Sequence, residues 1–251
     1  MRSSAPDARK PLCVVIPTYC ERDTIGRILP KVVQHADVLV VDDHSPDGTA
    51  AVVRALGLAG VEVLEREAPR SFAGSYLDGF RRAIATGYPL VGQMDADGSH
   101  PPECLPVMAA KVAGGLDLVV GSRYVPGGRT PDWALHRRLL SRAGGIYTRL
   151  VLGLPVADPT AGYRVWRAGA LAQVLQHAPD VRGYAFQIAT VYIAYKLGLG
   201  IGESAITFYD RRVGQSKMGA RIVLEALGTV PRLRGIGTGV VTAIGAPAAR
   251  R

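Results

Sequence analysis

The stretch "DVLVVDDHSPDGT", residues 37–49, decides how the chain is read. An apolar run, Val38 to Val41, ends in Asp42-Asp43, a polar turn with proline and glycine follows, and "TAAVVRALGLAG" then takes helical spacing. A short apolar run bounded by turn residues reads as a strand buried on both faces. A helix that follows it at once marks a parallel βα unit. The same pattern recurs on either side. "LCVVIPTY" (12–19) leads through a Pro turn into a helix over 24–36, with Asp23 or Thr24 as its N-cap. "VEVLERE" leads to an amphipathic helix over 74–87, "PLVGQMDADG" to a helix opened by prolines, and "LDLVVGSRY" supplies a fifth strand. The expected fold is α/β: a Rossmann-like, mostly parallel sheet with helices on both faces.

Polar residues collect where these strands stop, at Pro17–Glu21, Asp42-Asp43, Asp95/Asp97 and Ser122-Arg123. Ligands of open α/β sheets bind outside the carboxyl ends of the strands, so one edge is expected to carry the site. In "VGQMDADGSHPPECL", residues 91–105, Asp95 and Asp97 flank a single alanine. Like charges so close repel, and the fold must recover the cost with a cation or a dense set of donors. Such an oxygen pair suits a hard ion, Mg2+ or Mn2+, that keeps waters and shares substrate phosphates. A pair of Asx turn-formers is the plainer alternative. His100 is read as a turn residue holding backbone. Arginines fork onto phosphate oxygens, so acids and guanidiniums together suit a nucleoside diphosphate bridged by a metal. The chain has no GxxxxGK[ST] and no GxGxxG after its first strand, which removes P-loop NTPases and dinucleotide oxidoreductases. It also lacks a nucleophile elbow.

With 48% hydrophobic and 20% charged residues, the 251-residue chain can bury one large core and is not disordered. Its 30 basic and 21 acidic residues leave a net charge of +9, which fits nucleic acid, an anionic membrane surface or phosphorylated substrates. The basic residues are scattered: Arg137, Arg138 and Arg142, then Arg211, Arg212 and Lys217, then Arg221, Arg232 and Arg234. That scatter argues against a nucleic-acid stripe, and no nucleic-acid partner is expected. Cys13, Cys20 and Cys104 lack metal-like spacing and read as free thiols. The N-terminus has no apolar signal region, and no run approaches the roughly 18 apolar residues of a spanning helix. Residues 1–10 read as a flexible leader and 11–219 as one domain. The segment 220–251 reads as a C-terminal amphipathic helix, lying in a membrane interface or packed on the core.

Taken in order and spacing, "VVIPTYCERDTI", "LVVDDHSPDGT", "QMDADGSHPP", "VVGSRYVPGG", "GYRVWR", "GYAFQI" and "ITFYDRRVGQSKM" resemble the dolichol or polyprenol phosphate mannose synthases. These are family 2 glycosyltransferases of GT-A fold, and the resemblance is to the form without transmembrane helices. It implies inverting transfer of a hexose from a nucleotide sugar, GDP-mannose or a UDP-hexose, to a polyprenyl phosphate. By the same resemblance Pro17, Tyr19, Glu21, Val41 and Asp43 hold the nucleotide. Asp95, Ala96 and Asp97 surround the diphosphate, with Asp95, Asp97 and Ser99 as ligands of Mg2+ or Mn2+. Arg123 lies between donor diphosphate and acceptor phosphate, Arg137 and Ser141 grip the acceptor phosphate, and Arg211 and Lys217 contact the donor phosphates. Asp97, Arg123, Arg211 and Lys217 are thereby implied to carry catalysis. The protein is expected on the cytoplasmic face of a membrane, attached peripherally.

The resemblance has departures. Gly98 stands where the family has Leu, and Pro69, Ser71 and Ala73 stand for a lysine and glycines in the loop over the donor. Ala189 replaces a carboxylate, and Ala161 a serine. These leave two further readings open: a family 2 enzyme with another nucleotide sugar and a soluble acceptor, and a nucleotide-sugar binding protein without catalysis.

Overall fold

The structure, a computed structural model, describes residues 9–177, 185–210 and 228–235. The first half alternates as expected: β1 (Leu12–Thr18), α1 (Arg22–Val32), β2 (Asp37–Asp42), α2 (Thr49–Ala55), β3 (Val61–Glu65), α3 (Phe72–Ala85), β4 (Leu90–Gln93), α4 (Leu105–Ala113) and β5 (Leu118–Ser122). The second half follows with α5 (Leu135–Leu152), β6 (Arg164–Arg167), α6 (Ala168–Gln176), α7 (Ala185–Lys196) and β7 (Ile201–Ala205). Among the described residues the strands form one sheet, ordered β3-β2-β1-β4-β6-β5-β7.

β1 lies parallel to both β2 and β4, with Val14 opposite Val38 and Gly92. β6 is the exception. It runs antiparallel to β4 and to β5, so Val165 faces Gly92 on one side and Val119 on the other. β7 pairs parallel with β5. The carboxyl ends of β1, β2, β4, β5 and β7 therefore share one edge with the amino end of β6.

Side chains alternate across the sheet, which is why the strands read as continuous apolar runs. Val15, Leu39 and Val41 pack with Tyr76 and Phe80 of α3 and Phe186 of α7. On the other face Val14, Ile16, Val38 and Val40 pack with Ile25 and Leu29 of α1 and Met108 of α4. Residues 228–235 are helical. Val230 and Leu233 join the first cluster, while Arg232 and Arg234 face solvent, so this part of the expected C-terminal segment packs on the core. The remainder of 220–251, most of the leader, and Arg211 and Lys217 lie outside the described residues.

Helix starts differ slightly from those expected. α1 begins at Arg22 because the Glu21 carbonyl accepts the N–H groups of Thr24 and Ile25. The Thr24 hydroxyl donates to the Glu21 carboxylate instead of capping. α3 begins at Phe72 because the Ser71 hydroxyl accepts the Gly74 N–H at 3.0 Å.

α3 crosses the sheet at Gly79. A Cβ there would come within 2.9 Å of Cγ2 of Val41 and closer still to Val15. Alanine normally favours a helix by about 1 kcal/mol over glycine. Here Gly79→Ala is expected to destabilise the fold by about 1–3 kcal/mol through overpacking, read from the midpoint of denaturant unfolding.

Candidate active site

The edge where the strands end carries a pocket lined by Asp95, Asp97, Arg123, Arg137, Gly162 and Gln187, among others. β4 stops at Gln93, and Met94 and Ala96 turn their side chains into the core. That leaves the flanking aspartates at the rim. Gly98 takes φ +77°, the left-handed region where glycine is at ease, and the chain turns back on itself. Ser99 then meets Oδ1 of Asp97 twice, through its N–H at 3.0 Å and its hydroxyl at 2.6 Å. The Tyr76 hydroxyl donates to Oδ1 of Asp95 at 3.1 Å. The Asp95 N–H donates to Nδ1 of His100, so this histidine holds backbone as expected. Burial pulls the His100 pKa below its ordinary value, and its ring stacks on Tyr163. A neutral ring that uses Nδ1 as an acceptor is a support for the turn.

Arg123 enters the pocket from the end of β5. It is tied to Asp158, which is fully buried: Nε meets Oδ2 and Nη2 meets Oδ1, both at 2.7 Å. Burial opposes ionisation of Asp158, but the charge and hydrogen bonds of Arg123 hold its carboxyl below the usual range. Arg123 itself is raised above its ordinary value by the same partner, against the effect of burial. Arg137, on α5, donates to Asp210 at 2.6 Å and lies 4.3 Å from the Trp133 ring centroid. Its Nε is buried without a hydrogen-bond partner among the described residues. Ser141, expected beside it, instead bonds the Tyr124 hydroxyl at 2.6 Å and stands outside the pocket lining.

The residues matched to the nucleotide lie at the ends of β1 and β2. Val41 is core, so only its backbone is available there, and it pairs with Pro17. Tyr19 carries the Arg70 guanidinium 4.3 Å from its ring centroid. The Glu21 N–H donates to the Thr49 hydroxyl. Asp43 is bound by Arg66 and accepts the Ser71 N–H at 2.7 Å. Asp42, its neighbour, gathers the hydroxyls of Thr18 and Ser45. Cys20 and His44 take positive φ in the two loops that follow these strands. Such conformations in residues other than glycine cluster at functional loops.

Several wall residues carried no sequence signal that assigned them a role. Asp210 and Gln187 sat inside quoted motifs but had no visible partners, and Asp158, behind Arg123, lay outside those motifs. Thr160 and Gly162 reach the pocket only because β6 runs backwards. Of the departures noted above, Ala161 lines the pocket, whereas Ala189 is buried in the apolar cluster around α7.

Whether a divalent ion fits turns on the donor set. Among the described residues no three His, Cys, Asp or Glu side chains gather to cage a metal. Two oriented carboxylates do meet at the rim. That pair suits Mg2+ or Mn2+, which bind through one or two carboxylates and complete their shell with water and substrate phosphate. The residues present fit such an ion and do not fit a closed structural zinc site.

Residues 13–175 match the family model of Glycosyl transferase family 2. The undecaprenyl-phosphate mannosyltransferase of Micrococcus luteus is 45% identical over 224 residues, covering 87% of this chain and 91% of that protein. The polyprenol monophosphomannose synthase of Mycolicibacterium smegmatis is 40% identical over 239 residues, covering 89% and 90%. Among solved structures, glucosyl-3-phosphoglycerate synthase of Mycobacterium tuberculosis, with Mn2+ and UDP, superposes with a TM-score of 0.61 at 21% identity, over 96% of this chain and 82% of that one. The last likeness speaks for the fold alone. The family match and the two relatives, aligned over most of their lengths, speak for descent, and this chain belongs to glycosyl transferase family 2.

Proposed function

We propose that the protein transfers a hexose, with inversion, from a nucleotide sugar to a polyprenyl monophosphate, and that the donor is GDP-mannose. The two relatives named for mannosyl transfer to polyprenyl phosphates support the sugar and the acceptor. One observation carries the chemistry: a carboxylate pair and two guanidiniums face one pocket. A phosphate monoester is an anion at neutral pH, so its oxygen can attack the anomeric carbon without a general base. The new bond forms from phosphate oxygen to carbon, and the bond from that carbon to the diphosphate oxygen breaks. The protein then has to hold two anions together and to receive the charge on the leaving diphosphate.

Asp95 and Asp97 would hold the divalent ion, which when bound supplies Lewis-acid charge to the diphosphate. Ser99 orients Asp97 within that pair. Arg123, pinned by a partner that is itself 0% exposed, presents a fixed guanidinium. Arg137 is the exchangeable cation. Its pair with Asp210 is 23% and 36% exposed, so solvent screens it. An acceptor phosphate can take that place and engage the unpartnered Nε. Arg211 and Lys217 remain proposed donor contacts on sequence grounds alone.

We also place the protein on the cytoplasmic membrane face. Among the described residues no helix is long and apolar enough to cross a membrane. α5 presents Leu135, Leu139, Ile146 and Leu150 in one outward stripe, exposed by 47 to 78%. The helix carries Arg137, Arg138, Arg142 and Arg149 and no acidic residue. An apolar stripe with basic flanks suits an anionic lipid interface. The helix that turns Arg137 inward would thus bring the pocket to the lipid phosphate.

The direct test is incubation with labelled GDP-mannose, Mn2+ and a short polyprenyl phosphate, with label expected in the organic phase. Asp97→Ala should bring that transfer to background while unfolding stability stays near wild type; wild-type turnover by the variant would remove the metal assignment. Label in a water-soluble product would assign a soluble acceptor, and absence of turnover with any nucleotide sugar would leave a binding protein. Arg137→Ala is expected to raise the KM for the acceptor roughly tenfold, as for loss of a charge-assisted bond, with the donor KM unchanged. Replacing Ile146 and Leu150 together by serine should weaken flotation with phosphatidylglycerol vesicles by about tenfold or more, from the apolar area lost. Transfer to a detergent-dispersed short-chain acceptor should be unaffected; equal flotation of variant and wild type would rule out α5 as the contact.

A further inference from the structure

One side chain on the pocket wall has no part in the chemistry above. Gln187, in the first turn of α7, is 1% exposed and lines the pocket with Asp95 and Gly162. Its orientation is set from behind. The Trp166 indole N–H can only donate, and it meets Oε1 of Gln93 at 3.3 Å. That leaves the amide nitrogen of Gln93 to donate to Oε1 of Gln187, at 2.7 Å. With its oxygen engaged, Gln187 turns Nε2 away from Gln93, and that amide has no hydrogen-bond partner among the described residues. Native interiors pair nearly all such groups. A buried donor left over on a pocket wall is a donor for whatever the pocket binds.

The surroundings say what that is. A Cβ added to Gly162 would lie 3.5 Å from Oδ2 of Asp95 and 3.6 Å from Nε2 of Gln187. Amide and carboxylate therefore border the same small space, and glycine keeps it open. An ionised phosphate oxygen could accept from the amide but has no proton to give the carboxylate. A hydroxyl satisfies both sides, because its oxygen accepts from the amide while its hydrogen points toward the carboxylate. We propose that Gln187 recognises the sugar: its Nε2 donates to a hydroxyl of the transferring hexose, in the wedge opened by Gly162. This rests on the hexose-transfer function proposed above and adds the residue that selects the hexose.

Two variants of the full chain test it. Gln187→Glu keeps an oxygen for Gln93 and removes the outward donor. Gly162→Ala leaves the relay intact and adds one methyl, which meets its neighbours only at ordinary van der Waals distance. Binding of GDP and of GDP-mannose is measured with Mn2+, together with kcat/KM for GDP-mannose and for its monodeoxy analogues. Both variants are expected to bind GDP as wild type does, and to lose roughly tenfold in GDP-mannose affinity and in kcat/KM, the order of one hydrogen bond. Wild type should discriminate against one deoxy analogue by a similar factor, and Gln187→Glu should no longer distinguish it. Unchanged GDP-mannose affinity, an equal loss of GDP and GDP-mannose binding, or retained discrimination against every analogue would overturn the assignment. Failure of the wild type to turn over GDP-mannose counts against the donor instead, and UDP with the UDP-hexose that wild type accepts then replaces the pair. A wild type that accepts no nucleotide sugar refutes the enzymatic reading before any variant is compared.

Discussion

A carboxylate buried at the end of a strand stays ionised only if donors surround it, and removing its partner costs several kcal/mol. This chain places five carboxylates along one sheet edge, four of them buried, and satisfies each with a different set of donors. Asp42 draws on β1 and the loop after β2, through Thr18 and Ser45. Asp43 is met by Arg66, beyond β3, and by Ser71 ahead of α3. Asp95 takes a bond from Tyr76 on α3, Asp97 from Ser99, and Asp158 from Arg123 after β5. Compensating these charges stitches the loops together, and the pocket inherits its shape from that stitching. A site whose dipoles are already oriented needs little reorganisation when charge develops in it.

The reversed strand contributes as much as the parallel ones. Because β6 enters the sheet from the ligand edge, the residues before it reach the pocket: Thr160, Ala161 and Gly162. Arg164 holds that entry. Fully buried, it donates to the carbonyls of Pro159 and Ala161 and to the Thr190 hydroxyl. Burial pulls its guanidinium down to about 9, and it remains charged at neutral pH. An arginine spent on backbone keeps a loop still where a carboxylate partner would have cancelled its charge.

How much of this was legible in the sequence depended on locality. The parallel βα units could be read from apolar runs that stop at aspartates, since each signal lies within a dozen residues. Asp95 and Asp97, flanking Ala96, could be read as a pair for the same reason, and His100 as their support. The antiparallel course of β6 could not be read, because nothing in "GYRVWR" marks a direction, which is set by its neighbours. The partners of Arg123 and Arg137 were invisible on similar grounds: Asp158 and Asp210 are distant in sequence and meet their arginines only through the sheet. Ser141 matched a family position, and nothing local announced that its hydroxyl oxygen accepts from Tyr124. Gln187 needed three residues from two strands and a helix before its unused nitrogen meant anything.

Trp166 is wholly enclosed, and it would ordinarily be counted as scaffold. Yet its indole proton fixes which end of Gln93 faces α7, and so which end of Gln187 faces the pocket. A phenylalanine there would preserve bulk while erasing that polarity, leaving two carboxamides at liberty to rotate. On the sugar-recognising role proposed for Gln187, selectivity then also depends on an enclosed indole that lines no part of the pocket.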